Sequence, residues 1–270
     1  MLMLAGLAVA TDNTRASARR EDNVTVLVFG DSWGQVGPSW HALEDMFVAH
    51  GVSADVQSSA VGGTRACQWA QDPQSLVKAA QERFGDAGPD YVWYTAGGND
   101  LEASAYQQCS KNASSMDEAI NTCLRKATDV INACTDTLLT ELWTVYPSAK
   151  VMQCGYDIPC EEGQCATQSR NPYCGNNVTC QNVGTVAWQP MLLELEDKYP
   201  GRYAGLNVLG AVQKAGGVPG ADVGAPDLTR GSPCGLMTSC VHPTYGKAGA
   251  SAVGEAFWEL YFSKQLLARP

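Results

Sequence analysis

The run VTVLVFG (24–30) constrains the fold more than any other stretch. It carries no charge from Val24 to Phe29 and ends on Gly30. A strand that is apolar on both faces is buried on both faces, which calls for a parallel sheet covered by helices on each side. The chain that follows alternates in that manner. A helix is expected over 38–51, with Pro38 near its first turn and Gly51 closing it. A second strand is expected over 54–60, a helix over 73–85 and a third strand over 90–96. In the long helical pattern 116–146, Ala119, Ile120, Cys123, Leu124, Ala127, Val130, Ile131, Cys134, Leu138 and Leu142 fall at three- and four-residue steps, as one buried face requires. A fourth strand (149–155), a helix within 184–199 and firm from Gln189, a fifth strand within 201–211 and a final helix over 247–268 complete the pattern. Strands alternating with helices predict a three-layer α/β/α sandwich around a flavodoxin-like, five-stranded parallel sheet.

At 270 residues and 45% hydrophobic content the chain can bury a sizeable core, and 24–270 reads as a single domain. The formal net charge of −10 argues against nucleic acid or an anionic membrane as partner, since both reward Lys and Arg. Eleven cysteines without C-x-x-C pairs, and only three histidines, favour disulfides over a metal cluster and hence an oxidising compartment. An odd count leaves one thiol unpaired or paired between chains. Residues 2–10, LMLAGLAVA, suit a signal h-region, so 1–18 reads as a signal peptide and the protein as secreted, with no transmembrane segment after it. Asn23, Asn112 and Asn177 open N-x-S/T triplets, the acceptors of a secreted glycoprotein. Two segments break the alternation: a Cys-rich loop over 155–182 and a Gly/Pro-rich loop over 211–233. Loops that long in a compact domain are usually functional or disordered.

In an open parallel sheet, ligands bind at the carboxyl ends of the strands. Polar and glycine clusters stand at three of those exits: Gly30-Asp31-Ser32, then Gly62-Gly63-Thr64, then Gly97-Gly98-Asn99-Asp100. GDSWG (30–34) also fits G-x-S-x-G, the nucleophile elbow of α/β-hydrolases. That elbow needs an earlier strand–helix loop for part of its oxyanion hole, and nothing upstream of the first strand supplies one. Taken singly, Ser32 is also a plausible helix-start serine, and Asn99-Asp100 plausible turn residues. His41 and His50 lie in the first helix pattern and read as structural.

FGDSWG, Gly62 in AVGGT, GGND (97–100) and a late HPTYGKAG before a final helix occur in the order and approximate spacing of the SGNH (GDSL) hydrolases. The chain resembles that family over nearly all of its length after the leader. The resemblance implies a serine esterase that needs neither metal nor cofactor. Ser32 would be the nucleophile and His242 the general base. The backbone N–H groups of Ser32 and Gly62, with the Asn99 amide, would form the oxyanion hole, Gly63 being the competing donor to Gly62. Substrates would be small-molecule, lipid or acylated-carbohydrate esters, with acyl transfer to acceptors other than water open as well. Trp33 beside the nucleophile reads either as a pocket wall or as packing.

The family's last block is D-x-x-H, whereas here it is Ser239-Cys240-Val241-His242. The missing acid would orient the imidazole and stabilise its cation. Three accounts stand. A Ser–His dyad operates, with the His242 tautomer held by a backbone carbonyl or the Ser239 hydroxyl. Alternatively Asp157, Asp222 or Asp227 supplies the acid. Otherwise the chain is a catalytically weakened binding protein of the same fold. A Cys234–Cys240 disulfide would close a small ring around Ser239, the alternative being that Cys240 pairs with the cysteines between 154 and 180.

Overall fold

The computed structural model describes residues 23–267 except 36, 103, 161, 163, 164, 166–170 and 245–247. The expected signal peptide at 1–18, part of the Cys-rich loop and the start of the expected final helix lie outside the described residues.

Five strands form one sheet: β1 (Val24–Phe29), β2 (Ala54–Ser58), β3 (Tyr91–Tyr94), β4 (Lys150–Gln153) and β5 (Tyr203–Gly205). Their spatial order is β2-β1-β3-β4-β5 and every pairing is parallel. Because side chains alternate along a strand, β1 feeds two cores. Leu27 and Phe29 join Val92, Tyr94, Val151 and Tyr203 on one face, packed by Leu76, Leu138, Leu142 and Trp188 from the helices. Val26 and Val28 join Val56, Trp93 and Met152 on the other, packed by Leu43, Phe47, Phe257 and Phe262. This is the three-layer α/β/α sandwich expected from the uncharged strands.

β2, β3 and β4 are shorter than the expected 54–60, 90–96 and 149–155, because each run continues past the last paired residue into the turn that follows. Several helices went unseen. Short ones run over Ser32–Gln35, Ala66–Trp69, Gly98–Leu101 and Ser104–Lys111. Another, Ala211–Ala215, opens the segment expected to be a Gly/Pro-rich loop. The helix expected from about 184 begins at Val178 and runs to Leu192. Asn177 caps it, its side chain accepting the Cys180 N–H at 2.9 Å.

The long helical segment is continuous from Met116 to Val145, but Ala119–Leu124 takes a π turn. A π turn inserts an extra residue per turn and rotates the buried stripe. Ile131, Leu138 and Leu142 are accordingly buried, while Val130, expected on the same face, is 59% exposed.

Ten cysteines pair as Cys67–Cys134, Cys109–Cys123, Cys160–Cys234, Cys165–Cys240 and Cys174–Cys180, leaving Cys154 as a buried thiol. The expected Cys234–Cys240 ring is therefore absent. Each of the two is instead tied to the segment after β4.

Candidate functional site

The chain leaves β1, crosses to β2 at one edge and returns past β1 to β3. The crevice at that reversal lies beyond the carboxyl ends of β1 and β3. Gly30 forms its floor. Its φ of 132° and a phantom Cβ only 2.7 Å from Thr95 Oγ1 and 2.9 Å from Ala96 N leave room for no side chain. The Asp31 N–H then donates to Thr95 Oγ1 at 3.0 Å, fastening the exit of β1 to that of β3. Asp31 is buried. Its carboxylate accepts the Trp33 N–H at 3.0 Å and the Tyr156 hydroxyl at 2.7 Å. Burial outweighs these bonds and pushes its pKa up to about 7.

Ser32 opens the short helix that follows. Its hydroxyl lies 2.8 Å from His242 Nε2. On the other side of that ring, Nδ1 lies 2.7 Å from Ser239 Oγ, which also takes a longer contact of 3.4 Å from the Val241 N–H. A hydroxyl oxygen that already accepts one N–H is suited to accept a second. It therefore favours the tautomer with hydrogen on Nδ1, leaving Nε2 bare toward Ser32. His242 is half-buried, and burial holds its pKa below the ordinary 6.5. Measured by NMR, the His242 ring is accordingly expected to titrate below that value. With only three histidines in the chain, His41→Gln and His50→Gln variants assign the signals. Because the neutral ring is the form able to accept a proton, the acid limb of any activity moves to lower pH with it. A midpoint above 6.5 would contradict this environment.

The loop after β2 and the turn after β3 are laced together beside Ser32. Asn99 Nδ2 donates to the Thr64 carbonyl at 2.9 Å, and the Thr64 hydroxyl donates to the Gly30 carbonyl at 2.8 Å. The Asp100 carboxylate accepts the Ala66 N–H at 2.9 Å. Gly62 faces the nucleophile, since a Cβ built on it would stand 3.6 Å from Ser32 Cβ. Its N–H is taken by the side-chain oxygen of exposed Gln35. Gly63, the competing position, has no heavy atom within 4 Å of its phantom Cβ and a left-handed φ of 78°, so it turns the loop.

None of the three aspartates considered for the missing acid reaches His242. Asp157 accepts backbone N–H groups of Ile158, Gly210 and Val212. Asp222 pairs with Lys214 at 2.8 Å, and Asp227 accepts from Thr229. Of the expected alternatives, only the Ser239 hydroxyl stands at Nδ1. His41 and His50 lie away from the site. His41 pairs with Glu44 at 2.8 Å, while His50 contacts Glu255 at 3.0 Å and stacks on Trp258. The loop bearing His242 is held by the Cys160–Cys234 and Cys165–Cys240 bridges and by the Cys160 N–H donating to the Cys240 carbonyl at 2.9 Å.

Tyr156 is the residue that sequence reasoning missed. Its ring fills space that only Gly98 leaves open, because a Cβ there would overlap the phenol ring. It stacks on Trp33 with centroids 5.1 Å apart and places its hydroxyl on Asp31 and within reach of Ser32. Trp33, only 1% exposed, is packing behind Tyr156 rather than a pocket wall. Among the described residues no group of three His, Cys, Asp or Glu side chains is placed to hold a metal ion.

The order of strands, the two helical layers and the crevice place the chain in the SGNH hydrolase fold class. A lipase from a goat rumen metagenome shares this fold at a TM-score of 0.55 and 11% identity, with 88% of this chain and 98% of that one covered. A Streptococcus pneumonia protein provisionally named a platelet activating factor shares it at a TM-score of 0.54 and 15% identity, covering 92% and 87%. No family model and no curated protein matches the sequence.

Proposed function

We propose that the chain is a secreted serine esterase of the SGNH family that works through an acyl-enzyme on Ser32. The observation that carries this is the unbroken contact from Ser32 Oγ through His242 to Ser239 Oγ, at 2.8 Å and 2.7 Å. In the reaction, Ser32 Oγ attacks the ester carbonyl while its proton passes to His242 Nε2, and the Nδ1–H stays bonded to Ser239. The tetrahedral O⁻ is received by the N–H groups of Ser32 and Gly62 and by Asn99. The Asn99 amide carries two N–H bonds, of which Thr64 uses one. The Gln35 side chain leaves the Gly62 N–H when the oxyanion takes it. Collapse expels the alcohol with the proton from Nε2. Water then repeats the sequence, and His242 again takes and returns one proton.

Secretion is supported by the five disulfides, which persist in oxidising compartments. Among the described residues no helix is long and apolar enough to cross a membrane. The exposed Asn112 and Asn177 triplets suit glycan attachment.

A second reading is favoured by one observation: among the described residues no carboxylate stands at His242 Nδ1. Under that reading the chain is a weakened enzyme that chiefly binds. Labelling with a fluorophosphonate separates the two. The esterase is expected to lose one equivalent of reactive serine to the probe, with the label mapped by mass spectrometry to the peptide holding Ser32. No label at millimolar probe, with no hydrolysis of p-nitrophenyl butyrate, leaves the binding protein.

A further inference from the structure

The crevice continues from Ser32 and His242 into a cavity of about 630 Å³. Its inner wall is aromatic and aliphatic: Leu101, Tyr106, Leu124, Tyr156 and Trp188. Among the polar groups that also line it, Ser32, His242 and one Asn99 N–H serve the reaction, and Glu102 is exposed at the rim. The buried Trp188 Nε1 has no partner among the described residues, while the rest are largely bonded within the protein. Gln181 accepts the Asn171 N–H at 2.8 Å and donates to the carbonyls of Asn171 and Gly175 at 3.0 and 2.7 Å. The Asn171 side-chain oxygen accepts from Ser110 and, at 3.1 Å, from the Tyr173 N–H. Gln107 donates to the Leu101 carbonyl at 2.8 Å, Thr185 to the Gln181 carbonyl at 3.1 Å, and the Asp157 carboxylate is spent on backbone N–H groups.

A sugar buried here has several hydroxyls and would leave most of them without partners, which is costly in a desolvated pocket. An apolar chain would not. No lysine or arginine is among the described lining residues, and the exposed Glu102 adds negative charge at the rim of a chain already at −10. An anionic headgroup has no partner there.

The walls are also fixed before any ligand arrives. Cys109–Cys123 ties the Ser104–Lys111 helix, which carries Tyr106, to the π turn carrying Leu124. Cys174–Cys180 ties the segment around Asn171 to the first turn of the Val178–Leu192 helix, which carries Trp188. A rigid, largely apolar cavity opening on a nucleophile selects by chain length and disfavours polar bulk.

We infer that the substrate is a neutral ester with an extended apolar chain next to the scissile bond, seated in this cavity, rather than an acetylated carbohydrate or an anionic phospholipid. This rests on the esterase reading of Ser32 and deepens it. The chain belongs to the acyl or the alcohol half of the ester, and the two are told apart by varying each half separately.

Each buried methylene is worth up to about fourfold in kcat/KM. With a constant nitrophenol leaving group, kcat/KM is expected to rise at least tenfold from acetate to hexanoate. If the chain is the alcohol, the rise appears instead between ethyl and hexyl acetate. Gly184 lines the cavity, and a Cβ on it would stand 3.2 Å from Asn171 Nδ2, so a larger side chain there crowds the wall and narrows the void. Gly184→Leu, and independently Thr185→Phe, are expected to lower the hexanoate-to-acetate ratio at least tenfold. Thermal unfolding and fluorophosphonate labelling of Ser32 verify that each variant is folded. A Ser32→Ala protein tests the cavity without turnover. Titration with 1-octanol is expected to shift its tryptophan emission saturably, and Gly184→Leu to abolish the shift.

Ser32-dependent turnover that peaks at acetate in the acyl series and shows no rise from ethyl to hexyl acetate, or that favours acetylated xylan or phosphatidylglycerol over both the hexanoate and the hexyl ester, overturns the inference while leaving the esterase intact. Absence of all hydrolysis with saturable octanol binding overturns the esterase and leaves the apolar cavity. Absence of octanol binding to Ser32→Ala overturns the cavity assignment.

Discussion

Replacing His242 with alanine is expected to lower kcat on p-nitrophenyl butyrate by roughly 10⁴- to 10⁶-fold, with Ser32→Ala costing about as much. The size follows from the geometry. Ser32 Oγ is 2.8 Å from the one base among its described neighbours that is neutral and free to take a proton near pH 7. Tyr156 also reaches Ser32, but burial and the Asp31 carboxylate push its phenol well above its ordinary range, so it offers no base. Asp31 is ionised in part near neutral pH, yet its oxygens are held by Tyr156 and the Trp33 N–H. The two residues act as a unit, so the double variant is expected to be no worse than either single one. What is left over water would come from the oxyanion donors, which neither substitution touches. Steady-state kcat with active-site titration is the measurement. A His242→Ala protein within a hundredfold of the wild type would show that another group takes the Ser32 proton, and Asp31→Asn would then be the variant to make.

The elements that proved legible in the sequence are those where local chemistry points one way. VTVLVF has no charged residue to offer solvent, so it had to be a strand covered on both faces. The glycines and polar residues after β1, β2 and β3 mark strand exits because backbone there must turn sharply. That logic, together with the family resemblance, singled out Ser32, Asn99 and His242 as candidates, and the structure brings Ser32 and His242 within 2.8 Å of each other. Tyr156 was not, because an aromatic soon after a strand ordinarily signifies packing. Only the space at Gly98 shows that its ring reaches back to Asp31. Gln35 on the Gly62 N–H was invisible for the same reason, as nothing local to either residue pairs them. The start of the Val178–Leu192 helix was hidden by Gly184 and Pro190, both poor helix formers. The residue that caps it, Asn177, also opens a glycan triplet. Disulfide partners lie 67 to 75 residues apart in three of the five bridges, beyond any local rule.

Ser239→Asp is expected to raise kcat/KM about tenfold above pH 7 and to move the His242 midpoint upward, past 6.5. Ser239→Ala is expected to lower kcat/KM about tenfold, the worth of one hydrogen bond that fixes the reactive tautomer. The serine oxygen at 2.7 Å from Nδ1 can hold the ring, but it cannot offset the positive charge that appears on it as Ser32 attacks. A carboxylate at about 4 Å would contribute about 4 kcal/mol at an effective dielectric constant of about 20. Position 239 is exposed, so solvent screening reduces that to roughly 1–2 kcal/mol, which is the tenfold expected. The signs of the two observables are linked. A neighbouring negative charge stabilises the imidazolium in the free enzyme as well as in the transition state. The acid limb therefore rises with the rate, and the gain shrinks below the new midpoint. The Cys160–Cys234 and Cys165–Cys240 bridges limit how far the loop can shift to seat the longer side chain. A gain in rate without an upward midpoint would mean that the introduced carboxylate acts on something other than the ring. If Ser239→Ala and Ser239→Asp both leave rate and midpoint unmoved, the Ser239 hydroxyl is a bystander and the tautomer is held by another group.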